Sequence, residues 1–184
     1  AAQIAKFYGL PCRAGGSLTD AKMPDAQAGY EAMMNYLTCR KSGVNLLYHS
    51  AGVLNSYLDF SFEQMMVDFE IIDYVDTLLA DIVVDDETVP LDLIDEIGQG
   101  GQYLTTMHTI ENCRDAVFAP NISVRGPHDD EIHELDRNIA ARQEQLLDAY
   151  KRPEVDAGVR DQMRAILKEH GIEDETIALL DACE

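Results

Sequence analysis

Apolar residues recur every three or four positions in many segments of the chain, and each such segment is predicted to form an α-helix. Gly9, Gly43 and Gly171 each follow one of these segments and are typical helix ends, while Ser61 can cap the start of another. The predicted helices cover residues 1–8, 25–42, 61–80, 91–97, 109–118, 129–151, 155–170 and 173–182.

Two short apolar runs, at 10–14 and 44–48, predict strands, and each is followed by turn residues. Residues 121–124 could be a third strand or merely extended chain. Alternating strands and helices are typical of parallel α/β units. A whole eight-stranded barrel needs ~250 residues, so an α/β fold is predicted that forms the C-terminal portion of a TIM-type (β/α)8 barrel with a helical C-terminal tail, rather than a small doubly wound sheet.

The change of pattern near residue 125 predicts two parts. Residues 1–125 form the partial α/β barrel that carries the glycine-rich loops, and residues 126–184 form the helical tail. The first eight residues look like the middle of an amphipathic helix and lack a starting methionine. We therefore expect the chain to be a piece of a longer protein.

The charge of the chain excludes some partners. Its 184 residues carry a formal net charge of -20, which argues against nucleic acid and against anionic membrane surfaces. Residues 42–113 contain fourteen Asp and Glu and no Lys or Arg. This acidity favours a cationic ligand, although acidity that serves only solubility remains an alternative.

Four cysteines, Cys12, Cys39, Cys113 and Cys183, lie far apart and form no ligand spacing. Scattered cysteines in a chain of this size are typical of reduced thiols, so a cytoplasmic location is expected. There is no apolar run near the ~20 residues that span a bilayer. No spacing of His and Cys indicates zinc, and the G-x-S-x-G, P-loop and Rossmann motifs are missing.

Glycine occupies three of the four positions from Gly98 to Gly101, and Tyr103 and His108 follow. Such a loop lets the backbone approach a ligand closely. The cationic side chains that would make it a phosphate site are missing nearby. The loop therefore suits a cation better than an anion, while His108 serves equally well to cap a helix.

In parallel α/β folds, ligands bind the loops that follow the strands, which here are 13–25 and 49–59. His49 directly follows a strand and could be a proton donor, a hydrogen-bond partner of the substrate or a packed spacer. Tyr48 and Tyr57 lie beside it, and aromatic faces attract quaternary ammonium groups. Tyrosines that only fill a barrel rim are the alternative.

Asp68 lies on an apolar helical line with Ile72, Val75 and Leu79. A buried carboxylate must be paired, hydrogen-bonded or protonated. Asp68 is therefore expected either to make a structural pair or to hold a loop of the site in place.

Four segments in this order resemble the C-terminal part of the trimethylamine methyltransferase family. They are G-G-S-L-T-D-A-K-M-P-D-A-Q-A-G-Y-E at 15–31, G-V-N-L-L-Y-H-S-A-G-V-L at 43–54, S-F-E-Q-M-M-V-D-F-E at 61–70, and I-G-Q-G-G-Q-Y-L at 97–104 with the following H-T at 108–109. Some members of this family use a pyrrolysine, and these 184 residues contain none. Either its position lies outside this piece of the protein, or the protein belongs to the betaine-type branch that lacks this residue, which is the interpretation we favour.

The resemblance implies a methyltransferase that moves a methyl group from a methylated amine, trimethylamine or a quaternary amine such as a betaine, to a corrinoid (cobalamin). The corrinoid is carried by a partner protein, and no cofactor is expected to bind this chain directly. A homo-oligomer is expected because a partial barrel leaves sheet edges that need partners. The alternatives are a non-catalytic barrel fragment that serves as an assembly or corrinoid-protein-binding module, and an amine-binding protein without turnover.

On this interpretation His49 is the catalytic candidate and, with Asn55, binds the polar end of the substrate. Tyr48, Tyr57 and Tyr103 would surround the ammonium group. The remaining candidates for substrate binding are Gly100 and Gly101, where the backbone can come close to the substrate or the corrinoid, and His108.

Overall fold

The computed structural model describes residues 1–114, 116–126 and 133–182 of the chain. Its helices are α1 (Ala2–Phe7), α2 (Ala26–Ser42), α3 (Phe62–Leu79), α4 (Leu91–Ile97), α5 (Met107–Asn112), α6 (Glu134–Ala149), α7 (Ala157–Glu169) and α8 (Asp174–Ala182). Its strands are β1 (Arg13–Gly15), β2 (Leu46–Tyr48), β3 (Val53–Leu54) and β4 (Asp59–Phe60). Among the residues that the structure describes, no helix is long and apolar enough to cross a bilayer.

Local side-chain signals set the ends of the two longest helices. The Asp25 carboxylate accepts a hydrogen bond from the N–H of Ala28 at 3.1 Å, and Gly43 ends α2 in the left-handed conformation at φ 67°. The Ser61 hydroxyl accepts from the N–H of Gln64 at 3.1 Å and begins α3. The predicted cap at Ser61 and the predicted stop at Gly43 are confirmed.

The strands form two small sheets. β1 and β2 pair in parallel, with Arg13, Ala14 and Gly15 opposite Leu46, Leu47 and Tyr48, and α2 connects them. β3 and β4 pair in antiparallel fashion around a 3₁₀ turn at Asn55–Tyr57. The first sheet confirms the predicted order of strand, helix and strand, whereas the hairpin of β3 and β4 was not predicted.

The predicted α/β class is confirmed as a mixed fold that is mostly helical, and the described residues contain no closed barrel. Residues 121–124 form no strand, and the backbone bends at residues 121–123. The helix predicted at 109–118 is shorter and spans Met107–Asn112. Of the helix predicted at 129–151, Glu134–Ala149 is observed, while residues 129–132 lie outside the described residues.

The chain divides into two compact units, Ala1–Asp148 and Ala149–Glu184. In the first unit, α2 packs against α3. Ala32 on α2 is fully buried, which lets the two helices approach closely, and Tyr36, Ile71 and Val75 complete this core cluster. The contact anchors both helices. α2 follows the loop after β1, and α3 follows the hairpin of β3 and β4.

The second unit contains α7 and α8. The Asp156 carboxylate accepts from the N–H groups of Gly158 and Val159 and so begins α7. Lys168 and Asp174 form an ion pair at 2.7 Å between the two helices.

Val75 tests the importance of the contact between α2 and α3. Its side chain is 1 % exposed, so Val75→Ala leaves a cavity and should lower the free energy of unfolding by about 2 kcal/mol. Val84, which is 75 % exposed, provides the matched control, since Val84→Ala should change stability by less than about 0.5 kcal/mol. Urea denaturation measures both; equal losses would show that this contact does not support the fold.

Candidate functional site

The loops that follow β1 and β2 meet at the carboxyl ends of these strands. The N–H of Gly16 donates to the carbonyl of Tyr48 at 2.9 Å, so the pairing continues one residue beyond β1. A Cβ atom on Gly16 would lie 2.7 Å from the Cα of Ser50. The two loops are therefore in backbone contact, and only glycine fits at this position without a shift.

His49 lies between two tyrosines at this end of the sheet. Its ring centroid is 4.0 Å from that of Tyr48 and 5.0 Å from that of Tyr57, in both cases with an edge-to-face geometry. Within the described part of the chain, neither ring nitrogen of His49 has a hydrogen-bond partner. The three rings form an exposed aromatic cluster in which the imidazole remains available to a ligand.

The backbone around this cluster is strained. His49, Asn55, Ser56 and Tyr57 have φ angles of 54°, 49°, 52° and 76°. They are the non-glycine residues with positive φ in the described chain, and side chains rarely adopt this conformation. Strain of this kind persists only where the surrounding structure imposes it, and it concentrates at functional sites.

The strained turn at Asn55–Tyr57 is held by the loop that follows β1. The N–H of Asn55 donates to the carbonyl of Ala21 at 2.8 Å, and the N–H of Ser56 donates to the carbonyl of Thr19 at 3.2 Å. The Ser56 hydroxyl also donates to the Asp20 carboxylate. These bonds fix Tyr57 against the ring of His49.

Glu31 on α2 in turn holds that loop. Its Oε2 accepts from the Thr19 hydroxyl at 2.7 Å and from the N–H of Asp20 at 2.9 Å, while Gln27 donates to Oε1 at 3.0 Å. The hydrogen bond from Thr19 and those from Asp20 and Gln27 lower the pKa of Glu31. Glu31 is therefore ionised at neutral pH and adds negative charge beside the aromatic cluster.

An open cleft of about 440 Å³ lies next to the cluster. Two tyrosines, two carboxylates and several aliphatic side chains line it. They include Leu18, Asp20, Tyr30, Glu31, Met34 and Tyr57. Apolar and aromatic walls with two carboxylates suit a cation that bears methyl groups better than they suit an anion.

Asp68 holds the other side of the loop that contains His49. Its carboxyl is fully buried, accepting from the N–H of Gly52 at 2.7 Å and from the Gln64 amide at 2.9 Å. Burial raises the pKa of Asp68 from 3.8 to about 7, although the bonds from Gly52 and Gln64 act in the opposite direction. The expectation that this carboxyl is hydrogen-bonded is confirmed, and its partner belongs to the predicted site loop.

The other candidates form a separate group. The Tyr103 hydroxyl donates to the carbonyl of Gly98 at 3.1 Å, and a Cβ atom on Gly101 would lie 2.6 Å from the Ile97 carbonyl oxygen. Gly100 has a φ of 79° and has open space around its Cα. The glycine-rich loop is thus packed on the end of α4.

His108 belongs to this second group. Its Nε2 lies 2.7 Å from the carbonyl oxygen of Glu87. It also lines an open cavity of about 590 Å³ with Asp86, Leu91 and Met107. Its ring therefore binds the segment that precedes α4, and it does not cap α5, where the Thr106 side chain accepts from the N–H of Thr109.

The structure brings Tyr48, His49 and Tyr57 together, with Asn55 in the same turn. In the described chain, no hydrogen bond or ring contact joins this group to Gly100, Gly101, Tyr103 or His108. Two residues of the first group, Tyr48 and Asn55, already contact other side chains. The Arg13 guanidinium lies 4.9 Å from the Tyr48 ring centroid, and the Asn55 amide donates to Asp59 at 2.8 Å.

Sequence reasoning missed Tyr30 and Glu31. Tyr30 and Glu31 are neighbours on α2 and precede Met34 by four and three residues, so two large, exposed side chains flank an acid on the face toward the cleft. Exposed large side chains beside an acid, on a helix that follows the loop of Gly15 and Gly16, were the sequence signal that could have indicated this part of the site. No group of three or more His, Cys, Asp or Glu side chains among the described residues could hold a metal ion.

Comparison with known proteins gives consistent matches. Residues 1–172 match the family described as trimethylamine methyltransferase. The glycine betaine methyltransferase of Desulfitobacterium hafniense (strain Y51) is 35% identical over 175 residues, which is 94% of this chain and 36% of that protein. The trimethylamine methyltransferase of Methanosarcina thermophila is 33% identical over 168 residues, which is 89% of this chain and 34% of that protein.

A shorter match has a higher identity. The trimethylamine methyltransferase of Methanosarcina barkeri (strain Fusaro) is 40% identical over 108 residues, covering 59% of this chain and 22% of that protein. The resemblance found in the four sequence segments is confirmed. The chain spans about a third of the length of the curated relatives that it matches over most of its residues.

Gly16 tests the contact between the two loops. Gly16→Ala places a methyl group against the backbone of Ser50, which should separate the loops and lower the free energy of unfolding by about 1–3 kcal/mol. Gly29→Ala is the matched control, because Gly29 lies within α2 and a Cβ atom added there would meet nothing within 4 Å, so the change should stabilise the helix by up to about 1 kcal/mol. Denaturant unfolding measures both; a neutral Gly16→Ala would contradict the close contact.

The raised pKa of Asp68 predicts a pH dependence of stability. The folded state keeps a proton that the unfolded chain releases above pH 3.8. The stabilisation from this proton is therefore fully present below about pH 4 and is lost as the pH rises through the folded pKa.

The measurement compares the wild type with Asp68→Asn. The free energy of unfolding of the wild type should fall relative to that of the variant between pH 5 and 7, with a slope of up to about 1.4 kcal/mol per pH unit. Parallel pH profiles of the two proteins would show that the carboxyl is ionised in the fold.

Proposed function

This chain belongs to the trimethylamine methyltransferase family, and on that basis we propose that the protein moves a methyl group from a methylated amine to a corrinoid carried by a partner protein. A quaternary amine of the betaine type is the proposed substrate. The match to glycine betaine methyltransferase supports this choice. The observation that carries the proposal is the His49 ring between Tyr48 and Tyr57 at the ends of two parallel strands.

The proposed fold of the whole protein is a TIM-type (β/α)8 barrel. β1, α2 and β2 form a parallel strand–helix–strand unit, which is the repeating element of such a barrel. Residues 1–125 would then supply the C-terminal portion of the barrel, followed by a helical tail from residue 126. Barrel enzymes place their active sites at the carboxyl ends of the strands, where the aromatic cluster lies.

The aromatic cluster and its charged neighbours suit a quaternary ammonium group. Each aromatic face contributes roughly 0.5–2 kcal/mol to the binding of such a cation, more when water is excluded. Asp20 and Glu31 line the adjoining cleft and add attraction over a longer distance. One face of the Tyr48 ring is already next to Arg13, so Tyr57 is the principal aromatic contact of the proposed cation.

The polar end of a betaine is a carboxylate, which needs hydrogen-bond donors. The ring N–H of His49 and the second amide hydrogen of Asn55 can supply them. Holding both ends of the substrate fixes the direction in which one N-methyl group points. Orientation is the main contribution that a protein can make to a displacement at a methyl carbon.

Bound beside the substrate, the partner's reduced corrinoid would supply the nucleophile for the methyl carbon. On transfer of the methyl group, the electron pair of its C–N bond would stay on nitrogen and leave a neutral amine with one methyl group fewer. No proton has to move in this step. His49 therefore acts by positioning the substrate, and the proposal requires no protein nucleophile.

Gly100, Gly101, Tyr103 and His108 have a second proposed role. In the described chain they form a separate group, so we assign them to the side from which the corrinoid or the far end of the substrate approaches. Gly100 has open space around it, which permits close approach of a ligand to the backbone. A homo-oligomer in the cytoplasm, with no corrinoid bound directly to this chain, completes the proposal.

The alternative function is that of an assembly or corrinoid-protein-binding module without turnover. The test incubates the protein with glycine betaine and a reduced corrinoid protein and follows the cobalt spectrum. Methylation of the corrinoid that depends on both components supports the enzyme. Binding of the corrinoid protein without amine-dependent methylation supports the module instead.

Two substitutions test the proposed substrate contacts. His49→Ala and Tyr57→Leu should each lower methyl transfer about five- to thirtyfold, because each removes a contact worth roughly 1–2 kcal/mol. Tyr8→Ala removes a tyrosine that is 68 % exposed and outside the cluster, so its rate should equal that of the wild type. Wild-type rates in the His49 and Tyr57 variants would remove these residues from the site.

A further inference from the structure

Asp68 connects the core helix α3 to the loop that begins at His49. Its Oδ2 accepts from the N–H of Gly52 at 2.7 Å and its Oδ1 accepts from the Gln64 amide at 2.9 Å. The side chain is 0 % exposed. Burying a carboxyl this completely is costly, and a hydrophobic residue would fill the same position on α3 without that cost.

Gly52 is restrained from several directions. Its φ is +78°, and a Cβ atom there would meet the ring of Phe60. Its carbonyl accepts from the N–H of Ser61 at 2.9 Å, next to the start of α3. The N–H of Gly52 faces Asp68, so both polar groups of this residue are tied to the α3 region.

The restraint on Gly52 acts on His49 because few residues separate them. His49 has a φ of 54°, and Ser50, the next residue, abuts Gly16. A four-residue segment that is fixed at both ends has little freedom to relax. If the N–H of Gly52 lost its partner, the strained conformation at His49 would no longer be imposed from this side.

We propose that Asp68 is a positioning residue for His49 and acts through its hydrogen bond to the N–H of Gly52. This inference rests on the proposed function only in giving His49 a substrate to bind. The geometric part of it, that Asp68 sets the orientation of His49, concerns the chain itself.

The chain offers a conservative replacement. In Asp68→Asn the side-chain oxygen can still accept from the N–H of Gly52, and its amide can donate to the oxygen of a flipped Gln64 side chain. Asp68→Ala removes the acceptor altogether. If Asp68 is a positioning residue, Asp68→Ala should change the orientation of His49, whereas Asp68→Asn should keep it as in the wild type.

Glu70 provides a matched control on the same helix. It is also buried, being 5 % exposed, and its carboxylate also accepts backbone N–H groups, namely those of Asn121 at 2.9 Å and Ser123 at 3.0 Å. These partners lie in a different segment from His49. Glu70→Ala therefore removes an equivalent type of bond without touching the loop of residues 49–52.

The experiment combines two measurements on the 184-residue protein. Nuclear magnetic resonance records the ring signals of His49 and the amide signal of Gly52, and calorimetry records the affinity for glycine betaine. Asp68→Ala should shift the His49 and Gly52 signals and weaken binding by at least about tenfold. Asp68→Asn should retain the wild-type His49 signals and affinity, and Glu70→Ala should retain both despite a lower melting temperature.

The outcomes separate the two proposals. Unchanged His49 signals in Asp68→Ala, or equal shifts in Glu70→Ala, would overturn the positioning role. If glycine betaine fails to bind the wild type while Asp68→Ala alone shifts the His49 signals and Asp68→Asn restores them, the positioning role stands and the proposed substrate falls.

Discussion

The parallel pairing of β1 with β2 is the contact on which the candidate site depends. It ends in the bond from the N–H of Gly16 to the carbonyl of Tyr48, at 2.9 Å. This bond brings the loop after β1 next to the loop after β2. The contact of Tyr57 with His49 follows from this arrangement, because the first loop carries the carbonyl groups that hold the turn containing Tyr57.

Acidic side chains have a structural role in this chain as well as an electrostatic one. Glu31 accepts hydrogen bonds from the loop after β1, Asp68 from Gly52, and Glu70 from residues 121–123. Burial alone would raise the pKa of Glu70, but the hydrogen bonds from the N–H groups of Asn121 and its neighbours lower it by more. The net shift of this pKa is therefore downward. Carboxylates that bind backbone N–H groups can impose conformations that short, strained loops would not adopt alone.

The sequence predicted the features that local chemistry controls. Ser61 and Gly43 mark helix ends through interactions within a few residues, so α2 and α3 and the strand at Leu46–Tyr48 could be placed. The left-handed turn at Asn55–Tyr57 could not be predicted, because its conformation is imposed by carbonyl groups more than thirty residues away in the chain. The same holds for residues 121–123, which are held by Glu70 across about fifty positions.

Only the part of the candidate site that local rules control could be predicted from the sequence. Placing His49 and Tyr48 required only the rule that sites follow strands, whereas Glu31 and Tyr30 belong to a helix whose face toward the cleft is set by tertiary packing. The family match places the chain in the trimethylamine methyltransferase family. The geometry adds an aromatic cluster and an acidic cleft, the combination that a methylated cation needs.

Contacts between the N-methyl protons of glycine betaine and the aromatic protons of the protein test this account most directly. Nuclear Overhauser measurements on the mixture should give cross-peaks from the methyl protons to the rings of Tyr57, Tyr48 and His49. Cross-peaks to residues around His108 and Met107 instead, or none to any aromatic ring, would contradict the account.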